Sequence, residues 1–87
     1  MSKKPHPHLE DPKAAAIHRE AWGLWGNKKN MAAALGVSYA MLWRRYSQGL
    51  LPPDTLHKAL LEQAVERRSL LSADDLLWFN DRLRAAA

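Results

Sequence analysis

Between Met31 and Leu42 the chain reads Met-Ala-Ala-Ala-Leu-Gly-Val-Ser-Tyr-Ala-Met-Leu, two short apolar segments hinged at one glycine. Ala32 lies four residues before Gly36, one helical turn back, where a closely crossing helix would exclude a larger side chain. Gly36 adopts a left-handed conformation at little cost, so it ends one helix and redirects the chain within three residues. Ser38 then supplies a side-chain oxygen to cap the next helix. Leu35, Val37 and Leu42 are spaced to fill the angle between the two. Such a pair of short helices cannot bury its apolar faces alone, so the remaining chain must close around it.

The rest of the sequence offers helices for that purpose and no strands. Residues 1–10 are polar, carry Pro5 and Pro7, and show no apolar periodicity, which predicts a flexible arm. Asp11 followed by Pro12 opens a first helix, whose apolar stripe is Ile17, Ala21, Leu24 and Trp25. Gly26-Asn27 ends it, and Asn27 caps a second helix running to about Leu35. The third helix runs from Ser38 to about Ser47. Pro52-Pro53 opens a fourth over 53–68, with Leu56, Leu60, Leu61, Ala64 and Val65 on one side. A fifth spans 72–86, where Ser72 and Asp75 form a capping-box-like pair and Leu71 can meet Leu76 as a hydrophobic staple. No alternating segment or hairpin dipeptide is present. The expectation is a single all-α domain of about five helices over 11–87. With 87 residues and no cysteine, its stability must come from packing and self-association rather than disulfides or thiolate metal sites.

Charge placement narrows the function. The net charge is +4, and no Asp or Glu occurs between Glu20 and Asp54, a window that holds Lys28, Lys29, Arg44 and Arg45. From Asp54 onward, six acids face five bases. A positive field confined to the middle of a chain suits a polyanion-binding surface. On a helical wheel with Leu42 inward, Tyr46 shares its side, while Ala40, Arg44 and Ser47 lie about 140–200° away. Trp43 and Arg45 fall at opposite margins, near about 100° and 300°. Arg44 is therefore the base-reading candidate, since a guanine edge presents two acceptors to a guanidinium fork. Arg45 is expected to reach a phosphate, or to lay its stem over the core and pair with an acid. Trp43 is expected to pack half-buried on a neighbouring helix rather than touch a thymine methyl or sugar, and Tyr39 to offer its hydroxyl to a phosphate. Lys28 and Lys29 oppose the dipole of the second helix, a cost that a DNA phosphate at this helix start would offset.

Glycine turn, small residue and exposed second helix together form the pattern of a helix-turn-helix, whose second helix enters the major groove. Met31, Ala32, Leu35-Gly36-Val37-Ser38 and Leu42 resemble the helix-turn-helix of phage Cro and repressor proteins and of small plasmid regulators. Over about 20 residues the match is tight, and in size, basic start and C-terminal helices the chain is similar to the Kor-type plasmid repressors. Arg45 departs from the pattern, because the family usually carries an apolar residue there. The resemblance implies a sequence-specific, cytoplasmic transcriptional repressor of plasmid or phage type. Its double-stranded DNA operator would be contacted by Lys28, Lys29, Ser38, Tyr39, Ala40, Trp43, Arg44, Arg45, Ser47 and Gln48.

Other signals carry less. His6 and His8 on an arm make a poor metal site, and no nucleophile triad, phosphate loop or paired catalytic carboxylates are present. Neither an enzyme nor a cofactor is expected, nor a small-molecule substrate or a membrane span. The fifth helix carries Leu76, Leu77, Trp78, Phe79 and Leu83, more than one stripe, so a two-fold homodimer through these residues is expected. Such a dimer would read a palindromic operator and act by promoter occlusion. A helix-turn-helix-shaped protein-interaction module without specific DNA binding is the alternative.

Overall fold

In a computed structural model that describes residues 6–86, five α-helices follow a short 3-10 turn at Pro7–Glu10. They are α1 (Pro12–Gly23), α2 (Lys28–Leu35), α3 (Tyr39–Ser47), α4 (His57–Glu66) and α5 (Ala73–Ala86), and there is no strand among the described residues. The predicted all-α class with about five helices is the observed one.

The starts of α1, α2, α3 and α5 are each fixed by a side chain that the sequence places there. Asp11 accepts from the amides of Lys13 at 2.8 Å and Ala14 at 3.3 Å, with Pro12 in the first helical position. Asn27 accepts from the Asn30 amide at 2.8 Å, and Ser38 from the Met41 amide at 3.2 Å. At α5 the pairing is reciprocal: the Ser72 amide donates to Asp75 at 3.1 Å, and the Asp75 amide to the Ser72 hydroxyl at 3.3 Å. These caps satisfy amides that no intrahelical carbonyl can reach. Gly36 ends α2 in the left-handed region, at φ 66° and ψ 34°, and Val37 donates back to Ala32 at 3.1 Å. The α4 start differs from expectation. No side chain caps it, and the turn after Pro53 is 3-10 over Asp54–Leu56 before the α-helix begins at His57.

The core runs through Ile17, Trp22, Leu24, Met31, Leu42, Leu51, Leu60, Leu71, Leu76 and Phe79, all buried. Residues α2 contributes are Met31 and Ala32, and α3 contributes Leu42, with Leu35, Val37 and Met41 half-buried in the angle between them. Trp22 donates its indole N–H to the Leu50 carbonyl at 3.0 Å, and Gln63 its amide to Leu24 at 3.2 Å, so α1 and α4 hold the segments that flank the helix pair.

Two expectations are corrected. Residues 6–10 of the predicted flexible arm are folded: the turn packs on α1 and α5, and the arm's remaining residues, 1–5, lie outside the described residues. Its anchor is a pair of histidines donating to backbone carbonyls, His6 to Ser47 at 2.8 Å and His8 to Gly49 at 2.7 Å. Leu76 and Phe79, expected in a dimer interface, are 2% and 1% exposed and belong to the core of one chain. Of that group Leu77 is open, at 61%, while Trp78 and Leu83 are half-buried against the core. One helix can carry so many apolar residues because Lys13 and Arg82 lie over the Trp78 ring, 4.4 Å and 5.5 Å from its centre, screening it from water.

Candidate nucleic-acid interface

The exposed surface of α3 follows from the burial of Leu42. With that side chain fully enclosed, Tyr39, Ala40, Trp43, Arg44, Ser47 and Gln48 turn outward. Arg44 is exposed, and its guanidinium has no ion pair or hydrogen bond among the described residues. Lys29 is likewise exposed at the first turn of α2. Because the flanking segment lacks acids, nothing local neutralises these two charges.

Arg45 lies over the margin of the core, as one of its two expected roles has it, but its partner is a backbone carbonyl rather than an acid. It is half-buried, and its Nε donates to the Leu51 carbonyl at 2.8 Å, tying the end of α3 to the loop that leads into α4. A core-margin position that an apolar residue could fill is used here for a charged hydrogen bond to backbone.

Lys28 also acts within the chain. Its ammonium sits 3.8 Å from the centre of the Tyr46 ring and 4.7 Å from that of Trp43. The cost of a cation at the start of α2 is thus offset by two aromatic faces. Trp43 is more open than expected, at 45%, and meets Tyr46 edge-on with ring centres 5.7 Å apart. Its indole N–H donates to the Tyr39 hydroxyl at 2.7 Å, one turn back along α3. Tyr46, expected inward beside Leu42, lies at the rim with 36% exposure, its ring tilted against His18 and edge-on to Trp22. Ser38 spends its hydroxyl oxygen on the helix cap, and the Ser47 hydroxyl donates to the Arg44 carbonyl at 3.0 Å.

No protein-family model, curated protein or solved structure matches this chain.

Two features of the site were not found from sequence. The His6 and His8 donors close on the C-terminal end of α3 from 41 residues away. Beneath Tyr46 lies His18, 8% exposed, whose Nε2 has no hydrogen-bond partner among the described residues. Its pKa is lowered from 6.5 to about 4, first by burial and then by the positive charge of His8, against the Leu50 carbonyl that favours protonation. No helix among the described residues is long and apolar enough to cross a membrane, and no group of three or more metal-ligating side chains occurs among them.

Proposed function

We propose that this protein is a sequence-specific DNA-binding transcriptional repressor, acting as a homodimer on a palindromic operator by promoter occlusion. The observation that carries the reading is Arg44: an unneutralised guanidinium on the outer face of a short, doubly capped helix, in a stretch of chain without acids. A guanidinium so placed can enter a major groove and meet both acceptors of a guanine. Lys29, free at the start of α2, supplies phosphate contact in the same orientation. Arg45 and Lys28 support the surface from behind rather than touch bases, since the geometry engages both within the chain.

The test is a gel shift at two salt concentrations on the DNA upstream of the protein's own gene. Arg44→Ala should lose about 1–3 kcal/mol on the operator and relax preference at one base pair, whereas Lys29→Ala should weaken all sequences alike and flatten the salt dependence. Equal losses on operator and random DNA for Arg44→Ala would remove its base-reading role.

One observation favours a second reading. Tyr39, Trp43 and Tyr46 expose ring surface on the same helix, which a protein partner could bury. An interaction module of that kind would show no salt-dependent binding to DNA of any sequence.

A further inference from the structure

Trp43 is the one exposed tryptophan of the four in the chain, and it stands next to Arg44 on the outer side of α3. An indole has a single polar hydrogen and no acceptor. Here that hydrogen is already donated to the Tyr39 hydroxyl at 2.7 Å. One ring face carries the Lys28 ammonium at 4.7 Å, and Tyr46 meets the ring at an interplanar angle of 85°. The ring is therefore held by residues of both α2 and α3, and what it still offers to an incoming molecule is carbon.

On the floor of a major groove, base edges present donors and acceptors, with one apolar exception, the 5-methyl group of thymine. A ring whose only donor is spent gains nothing from the polar edges and gains from burying that methyl. We infer that Trp43 is a specificity-determining residue that reads a thymine methyl beside the base pair met by Arg44. The inference rests on the DNA-binding reading above and names a base that it leaves open. Tyr39 is the positioning residue: by accepting the indole hydrogen it fixes the ring, and its own hydroxyl hydrogen stays free for a phosphate oxygen.

The experiment begins with the full chain and a random pool of DNA duplexes, from which the bound sequences are selected. Each thymine of the selected site is then replaced singly by deoxyuridine, which lacks only the methyl. At one thymine per half-site the replacement should weaken binding about fourfold, the factor a buried methyl supplies. Trp43→Ala should bind the thymine and deoxyuridine sites equally while keeping the base preference due to Arg44. Trp43→Phe, which keeps an apolar ring, should retain part of the thymine preference, and circular dichroism of both variants checks that the helices persist. Indifference of the wild type to deoxyuridine at every position, or undiminished sensitivity in Trp43→Ala, overturns the assignment and leaves the DNA-binding reading standing. Failure to enrich any duplex, even at low salt, overturns that reading and this inference with it.

Discussion

His18 shows how one side chain carries a pH dependence into the fold. It is packed among Trp22, Tyr46 and Phe79, with ring centres 6.2, 5.3 and 6.2 Å away. Burial there penalises the imidazolium, and the charge of His8 adds to the penalty. The folded chain therefore keeps His18 neutral down to about pH 4, while the unfolded chain protonates it near 6.5. With the folded pKa depressed, the unfolded state binds more protons in that interval. The contribution to stability is complete above about pH 6.5 and is lost as the pH falls to about 4. The gap corresponds to about 3 kcal/mol. His18→Leu removes both the titration and the unpartnered Nε2, so urea unfolding should find it at least as stable as wild type at neutral pH and less sensitive to acid. A wild-type and variant pair that decline in parallel between those pH values would refute the assignment to His18.

Among the elements, the capped starts and the glycine stop after α2 were legible in sequence, whereas the uncapped start of α4 and the long-range ties were not. Asp11, Asn27, Ser38, Gly36 and the Ser72–Asp75 pair act within about one helical turn of themselves, so residue type and spacing suffice to place them. The His6–Ser47 and His8–Gly49 bonds, the Lys28–Tyr46 contact and the Arg45–Leu51 bond join residues whose proximity exists only after the helices pack. No periodicity encodes such contacts, so residue spacing alone reveals neither the fold of residues 6–10 nor the bond that ties Arg45 to Leu51. The two adjacent arginines should accordingly separate in experiment. Arg45→Ala should lower stability by about 1–2 kcal/mol through the lost charged hydrogen bond and leave base preference unchanged, and Arg44→Ala should do the reverse; thermal unfolding and gel shifts on both variants decide it. The glycines that end α2 and follow α3 separate in the same manner. Both have positive φ, 66° at Gly36 and 72° at Gly49, but a Cβ on Gly36 would meet nothing within 4 Å. On Gly49 it would meet His6 carbon at 2.7 Å and His8 Nε2 at 2.9 Å. Gly36→Ala should cost about 1 kcal/mol of backbone strain alone. Gly49→Ala should cost more and expel the N-terminal turn, visible as faster proteolysis near residues 6–10.

For the whole molecule, the proposed function asks how a body of 30 × 30 × 20 Å would be selective for one DNA site. A single α3 with one good bidentate contact supplies about 1–3 kcal/mol of discrimination, too little against random DNA. A second copy beside the first would double the contacts and set its α3 about one body width away, close to the roughly 34 Å between successive major-groove faces. The surface available for that copy is narrower than the apolar richness of α5 suggested, because Leu76 and Phe79 are consumed by the core and Trp78 is screened by Lys13 and Arg82. Leu77 is what α5 still presents. If the proposed dimer forms through this face, Leu77→Glu should shift the protein from dimer to monomer in sedimentation equilibrium, leave its unfolding temperature near that of wild type, and weaken binding to the proposed operator more than binding to random DNA. Phe79→Ala should instead cost about 3–5 kcal/mol of folding stability through the cavity it leaves, so the two variants distinguish an interface residue from a core residue on one helix. A wild-type protein that sediments as a monomer at high concentration would sink the dimer, and a Leu77→Glu variant that stays dimeric would move the interface away from this face of α5.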